Sequence, residues 1–135
     1  MKTKLLAVCA AVAMSVCVPA QAQAPIEIQW WHSMSAALGD WVNDLAKQYN
    51  ASQTKYKVVP TYKGAYDESM TAGIAAFRAG NAPHILQMWE VSTATMMASK
   101  GAIVPAGKVL NDAGFKFDPT SYVSAVAGYY TAPNG

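Results

Sequence analysis

Residues 26–31 read Ile-Glu-Ile-Gln-Trp-Trp, and the pattern that decides the fold starts here. Apolar and polar side chains alternate before the two tryptophans, which predicts a β-strand because successive strand residues point to opposite faces. From Leu38 onward the apolar spacing becomes helical, and the helix is predicted to end at Asn50. The stripe predicted to face the core comprises Leu38, Trp41, Val42, Leu45, Ala46 and Tyr49.

A second strand and a second helix follow in the same order. Residues 56–62 predict the strand, and Pro60 indicates that it lies at a sheet edge or ends near there, because proline cannot donate a backbone hydrogen bond. The helix after it begins with Asp67 and Glu68, whose negative charge suits a helix N-terminus, and it ends before Pro83. Its buried face is predicted to comprise Met70, Gly73, Ile74 and Phe77.

The remaining segments complete an alternation of strands and helices. Residues 84–89 predict a third strand, and their apolar run is typical of a strand covered on both faces. Helices are predicted over 92–100 and 108–113, whereas 121–126 fits either a helix or an extended segment. Because strands alternate with helices, the predicted fold class is α/β with a parallel sheet and right-handed crossover connections.

The first 22 residues have the composition of a cleaved signal peptide. Two lysines precede a short apolar stretch, and alternate small residues follow it. Cleavage after Ala22 is favoured over cleavage after Ala24, because the latter places a proline beside the scissile bond. Both cysteines, Cys9 and Cys17, lie in this segment, so the exported part has no thiol chemistry. A lipid anchor on Cys17 is disfavoured because bulky Val16 precedes it.

Composition and the absence of known motifs exclude several classes of function. The 135-residue chain has 13% charged residues and a net charge of +2, which argues against a disordered tail and against a nucleic-acid-binding surface. Residues 23–135 suffice for one domain. They contain no phosphate-binding glycine loop, no nucleophile elbow and no histidine pair at metal-ligand spacing, so we expect neither a metal nor a cofactor.

Ligand-binding residues are expected where the predicted strands end, because ligands of open α/β sheets bind outside the carboxyl ends of the strands. These ends are residues 31–33, 63–66 and 90–92. Tyr66 and Glu90 are therefore predicted to point toward a common edge. Each also fits an ordinary role, Tyr66 as a surface packing residue at a helix start and Glu90 as a helix cap or a solvated acid.

Four runs of sequence, taken together, carry a family resemblance. They are residues 31–34 (Trp-His-Ser-Met), 60–66 (Pro-Thr-Tyr-Lys-Gly-Ala-Tyr), 72–83 and 93–100. In order and spacing they resemble the glycerol-3-phosphate-binding branch of the extracellular solute-binding proteins, a family that also includes maltose-type sugar binders. The resemblance implies two α/β lobes that close on a ligand, of which residues 23–135 are a partial first lobe. The final Pro-Asn-Gly is a turn signal, so a following segment is expected.

The resemblance also implies a function. Members of this family are monomeric periplasmic receptors that pass a small molecule to the membrane permease subunits of an ABC importer, without catalysis. The implied ligand is sn-glycerol-3-phosphate or a glycerophosphodiester. A sugar-binding protein of the same family and an exported phosphodiester hydrolase are the alternatives that the sequence leaves open.

Particular residues are implied to contact this ligand. Tyr66 matches a ligand-contacting tyrosine of the family and Glu90 a glycerol-contacting glutamate, while Trp31, His32 and Ser33 are further cleft candidates. A carboxylate accepts hydrogen bonds from two hydroxyls at once, and a phenol ring packs on a carbon chain while its hydroxyl donates. Phosphate-binding residues are expected from later segments. His32 also fits a histidine satisfied within a loop, and Trp31 also fits a core residue.

Overall fold

The computed structural model describes residues 23–116, 118–129 and 131. The predicted signal peptide and the final turn lie outside these residues. The secondary structure alternates as predicted, so the α/β fold class is confirmed. The elements in chain order are β1 (Ile26–His32), α1 (Ala36–Ser52), β2 (Tyr56–Tyr62), α2 (Tyr66–Arg78), β3 (Ile85–Leu86), α3 (Glu90–Met97), α4 (Ala106–Asp112), a 3-10 turn (Pro119–Ser121) and α5 (Ser124–Tyr129).

The three strands form one parallel sheet in the order β2-β1-β3. β1 and β2 pair along their whole length, from Ile26 opposite Tyr56 to His32 opposite Tyr62. β2 lies at the edge of the sheet, so the inference drawn from Pro60 is confirmed. A proline is tolerated there because an edge strand has hydrogen-bonding groups that face away from the ladder.

The third strand is shorter than predicted. Only Ile85 and Leu86 pair with β1, not the whole of 84–89. At the start, the side chain of His84 replaces a backbone partner, because its Nδ1 accepts the backbone N–H of Gln29 at 3.1 Å. The prediction that this strand is covered on both faces is also wrong, since Ile85 is 47% exposed.

α1 is attached to β2 by packing and by one bidentate amide contact. Val42 and Ala46 are its buried residues. The side chain of Asn50 donates to the carbonyl oxygen of Val58 at 2.8 Å and accepts the N–H of the same residue at 2.7 Å. The helix runs to Ser52, two residues beyond the predicted end. Asn50 thus satisfies backbone groups on a strand that lies at the sheet edge.

Most of the predicted buried stripe of α1 is exposed. Only Val42 and Ala46 are buried, whereas Trp41, for example, is 61% exposed. The prediction was wrong because helical periodicity identifies an apolar side of a helix but not how much of that side the sheet covers. Within the described residues, the stripe members left exposed are Leu38, Trp41, Leu45 and Tyr49.

α2 packs on the opposite face of the sheet from α1. Trp31 and His32 are consecutive in β1, so their side chains point to opposite faces. His32 lines a groove together with residues of α1. Leu86, the register partner of Trp31, lies against Gly73 of α2, where an added Cβ would be 2.5 Å from its Cδ2 atom. The two crossover helices therefore cover the two faces of the sheet.

The buried face of α2 is only partly the predicted one. Gly73 is buried, as predicted, together with Ser69 and Ala76. Phe77 is exposed instead. The small residues face the sheet because Leu86 fills the space above Gly73, so the helix approaches too closely for a bulky side chain.

After β3 the chain forms short helices. α3 begins at Glu90 rather than at 92, and α4 is close to the predicted 108–113. The segment 121–126, for which helix and extended structure were both open, ends a 3-10 turn and enters α5. Gly114 adopts positive φ directly after the C-cap of α4 and ends that helix, whereas α3 ends at Met97, before the predicted residue 100, and Gly101 has positive φ in the turn that follows. No helix in the described part of the chain has the length and apolar character needed to cross a bilayer.

Candidate functional site

The loops that follow β1, β2 and β3 meet at one edge of the sheet, called here the carboxyl edge. Because β1 is the central strand, the chain leaves it next to the segment that continues β3. The N–H of Gln87 donates to the carbonyl oxygen of Trp31 at 2.9 Å, and the Gln87 side chain accepts the N–H of Ser33 at 3.0 Å. These bonds fix the loops after the two strands side by side. Adjacent strands of this kind form the crevice where α/β proteins bind ligands.

Tyr66 and Glu90 begin the two helices that start at the carboxyl edge. Tyr66 is the first residue of α2 and Glu90 the first residue of α3. The Tyr66 ring stacks on the ring of Trp89, with centroids 5.8 Å apart and planes 14° from parallel. Trp89 immediately precedes Glu90, so the two predicted residues are brought into one neighbourhood. Both are accessible, since Tyr66 is 36% exposed and Glu90 is exposed.

The turn before α2 fixes the position of Tyr66. Gly64 has φ of 85°, a conformation that favours glycine, and an added Cβ there would collide with the Glu68 carboxylate. That carboxylate accepts the N–H of Ala65 at 2.7 Å and so satisfies a donor at the helix start. The turn at Gly64 and the contact of Glu68 therefore position the Tyr66 ring at the carboxyl edge.

Glu90 opens onto a groove between α3 and the end of the described chain. The groove has a volume of about 400 Å³. Besides Glu90 it is lined by Thr93, Ala94, Met97, Ala98, Tyr129 and Thr131. Its apolar lining and single carboxylate suit a small molecule with hydroxyl groups, because the carboxylate only accepts hydrogen bonds.

Trp31, His32 and Ser33 do not share one environment. Trp31 is half-buried on the α2 face of the sheet, where the Lys63 ammonium lies 3.9 Å from its ring centroid. His32 faces the other way, into a second groove of about 380 Å³ beside α1. The hydroxyl of Ser33 is buried and has no hydrogen-bond partner among the described residues. The strand alternation separates the two rings, so the sequence neighbours cannot all line one pocket.

His32 is a buried side chain at the end of β1. It is 3% exposed, and its Nδ1 accepts the N–H of Met34 at 3.3 Å. Burial lowers the pKa of the imidazole below its ordinary value, because the charged form loses hydration. The rings of Trp30 and Tyr62 lie 6.0 and 6.1 Å away. The geometry is that of a residue that holds the loop after β1 in place.

Trp89 is a candidate site residue that the sequence prediction did not include. It is half-buried and supplies the ring on which Tyr66 stacks. The sequence contained a signal for this residue, because Trp89 directly precedes Glu90 and therefore lies at the same edge of the sheet. Lys63 was likewise inside a predicted strand end but was not assigned a role. In the described ranges, no group of three or more histidine, cysteine or acidic side chains is placed to hold a metal ion.

Sequence comparison identifies close relatives of the chain. No protein-family model matches it. A curated protein of Brucella abortus (strain 2308) is 46% identical over 123 residues, which cover 91% of this chain and 28% of that protein. One of Escherichia coli O1:K1 is 53% identical over 121 residues, 90% of this chain and 27% of that protein. Both are named sn-glycerol-3-phosphate-binding periplasmic protein UgpB.

A third relative with the same name, from Rhizobium meliloti (strain 1021), is 48% identical over 115 residues, 85% of this chain and 27% of that protein. The chain is homologous to these binding proteins. The resemblance predicted from its four sequence runs is therefore confirmed. The chain spans about 28% of the length of the curated relatives that it matches. The names of the relatives describe binding proteins rather than enzymes.

Proposed function

We propose that this chain belongs to the substrate-binding component of an ABC importer and captures sn-glycerol-3-phosphate or a glycerophosphodiester in the periplasm. Residues 23–135 form part of its first lobe, residues 1–22 are the signal peptide, and a second lobe closes over the ligand. Membrane permease subunits receive the ligand, and no reaction is catalysed. The name shared by the homologues supports this proposal.

The stacked pair of Tyr66 and Trp89 beside exposed Glu90 is the observation that carries the proposal. Two nearly parallel aromatic rings give a flat, apolar surface on which the carbon chain of glycerol packs. The carboxylate of Glu90 accepts hydrogen bonds from two vicinal hydroxyls. Within the described chain Glu90 forms no ion pair, so its oxygens are available to a ligand.

The other predicted cleft residues take different parts in this proposal. Trp31 and the Ser33 hydroxyl lie at the end of β1 and form the floor of the cleft at the carboxyl edge. His32 supports that floor from the opposite face of the sheet, by accepting the N–H of Met34. We therefore propose Tyr66, Trp89 and Glu90 as contact residues, and His32 as a residue that positions the loop.

Calorimetric titration of the full-length protein that contains this segment tests the proposal. We expect one molecule of sn-glycerol-3-phosphate or a glycerophosphodiester to bind per protein, without release of a cleavage product. Binding of maltose-like sugars but of no glycerophosphate contradicts the proposed ligand and favours a sugar receptor. Release of a product from a glycerophosphodiester, abolished by a chelator, contradicts the receptor and favours a hydrolase.

A further inference from the structure

Lys63 holds a positive charge in a fixed place at the carboxyl edge. Its backbone N–H donates to the carbonyl oxygen of His32 at 2.9 Å, which continues the ladder between β1 and β2 by one bond. Its ammonium nitrogen lies 3.9 Å from the centroid of the Trp31 ring. An ammonium over an indole face is attracted by the negative face of the ring. The long side chain is therefore held against Trp31, and Lys63 is half-buried.

No carboxylate neutralises this charge among the described residues. Their ion pairs join Lys57 to Glu27 and Lys108 to Asp112, and neither includes Lys63. The Glu68 carboxylate accepts the N–H of Ala65 at the start of α2 and forms no ion pair with Lys63. The intermediate exposure of Lys63 fits a stem packed on Trp31 with a hydrated ammonium, and such a charge is able to attract an anion.

Lys63 and Glu90 thus place charges of opposite sign at the carboxyl edge, and neither has an ion-pair partner among the described residues. Lys63 lies three residues before Tyr66, and Glu90 directly follows the tryptophan on which Tyr66 stacks. Glu90 repels an anion and accepts hydroxyl donors, whereas the Lys63 ammonium donates three hydrogen bonds and attracts an anion. These two charges favour a ligand that turns its hydroxyls toward Glu90 and its negative charge toward Lys63.

We propose that Lys63 is a specificity-determining residue that attracts the phosphate end of the ligand toward this lobe, while Glu90 takes the hydroxyl end. The proposal rests on the proposed function and adds an anion-recognition group to a segment from which only hydroxyl contacts were expected. Trp31 contributes by restricting the lysine, so that less side-chain freedom is lost when the phosphate binds.

The test compares three variants of the full-length protein with wild type by calorimetric titration of sn-glycerol-3-phosphate at low and high salt. Lys63→Met removes the charge and keeps an apolar stem over Trp31, whereas Lys63→Arg keeps a charge that stacks on indole. Lys47→Met is the matched control, because Lys47 is an exposed, unpaired cation in the second half of α1. Circular dichroism checks that each variant is folded.

We expect Lys63→Met to weaken binding about tenfold or more, the loss typical of one charge-assisted hydrogen bond, and to reduce the salt dependence of the dissociation constant. Lys63→Arg is expected to stay within about threefold of wild type and Lys47→Met within about twofold, since screened surface charges contribute little. If wild type binds and Lys63→Met binds equally well, the role of Lys63 is wrong while the proposed function stands. If folded wild type binds no glycerophosphate, the proposed function and this inference both fail.

Discussion

Residues 26–89 and residues 90–131 are built differently, although both contain helices with apolar residues. In the first region, three parallel strands lie between α1 and α2. All buried residues of the described chain lie in this region, and they are His32, Val42, Ala46, Ser69, Gly73 and Ala76. α3, α4 and α5 of the second region have no buried residue. In the described chain, only the helices that pack on the sheet have buried residues.

The second region therefore presents many apolar side chains to solvent. They include Val91, Ile103, Val104, Val109, Leu110, Phe115, Val123 and Val126. Exposed apolar surface of this extent marks a surface that packs against something else. The relatives are much longer than the part that this chain matches. We expect further segments of the full-length protein to cover these residues, and the predictions below test the contrast between the two regions.

The largest expected difference in stability is between substitutions at two glycines, one in each region. Gly73→Val in α2 introduces atoms where Leu86 already lies, and we expect it to lower the free energy of unfolding by about 3 kcal/mol. Gly128→Val in α5 meets open space, so its effect should stay within about 0.5 kcal/mol, as helix propensity differences suggest. Denaturant unfolding of the 23–135 chain measures both. Equal losses at the two positions would show that the regions are packed alike.

A second pair removes the same two methyl groups from each region. Val42 is 1% exposed, and Val42→Ala should cost about 2 kcal/mol through lost burial and a residual cavity. Val109 is exposed in α4, so Val109→Ala should change the stability of the 23–135 chain by less than about 0.5 kcal/mol.

The same valine pair also tests what covers the second region. In the full-length protein, Val109→Ala should cost clearly more than in the isolated chain, because further segments are expected to bury Val109. An equally small cost in both proteins would contradict that expectation. Val42→Ala is the internal control, since its surroundings belong to the first region in either protein.

Glu90 joins the two regions, and its substitution tests the site rather than the packing. Glu90→Gln should weaken glycerophosphate binding by the full-length protein about tenfold, because a hydrogen bond to a charged acceptor is replaced by one to a neutral acceptor. Its melting temperature should be nearly unchanged, since Glu90 is exposed. Asp67→Asn, at an exposed acid beside Tyr66, is the matched control. An unaltered dissociation constant for Glu90→Gln removes that residue from the site.

The smallest expected effect concerns the buried imidazole of the first region. The pKa of His32 in the folded chain lies below its ordinary value of 6.5, because burial disfavours the charged form. The unfolded chain therefore binds the proton more readily. The stabilisation by neutral His32 is present above pH 6.5 and is lost as the pH falls below it. His32→Gln retains an acceptor for the Met34 N–H, and it should make unfolding less sensitive to pH between about 7 and 5.5.

Denaturant unfolding of wild type and His32→Gln at the two pH values measures this difference. Asp40 lines the same groove but is exposed, so its carboxylate is solvated rather than buried with the ring. If both proteins lose the same stability on acidification, His32 does not contribute to the pH dependence.

Local sequence patterns were sufficient for the order and type of the main elements. Alternation over 26–31 and the proline at 60 placed β1 and an edge strand correctly, because both effects act within a few residues. Local patterns did not predict features that depend on residues far away in the sequence. β3 begins only at Ile85 because the side chain of His84 replaces a backbone partner of Gln29, a contact between residues 55 positions apart.

The candidate site shows the same division. The position of Tyr66 and Glu90 at strand ends follows from the sequence, since the carboxyl ends of parallel strands meet at one edge. Two ring contacts do not follow from the sequence, namely Tyr66 on Trp89 and the Lys63 ammonium on Trp31. Such contacts depend on how α2 and the loops pack on the sheet. Trp31 and His32 are separated because consecutive strand residues point to opposite faces. The prediction that both line one cleft did not take this alternation into account.

The sequence by itself determined the α/β class, the strand and helix order, and the likeness to glycerol-3-phosphate-binding proteins. These properties are encoded in local periodicity and in short runs of residues, which do not need the folded chain to be read. Only the tertiary structure decided which apolar residues are buried, with Val42 covered and Trp41 exposed in the same helix. Burial is a property of the surface that approaches a residue, and that surface is supplied by chain far away in sequence.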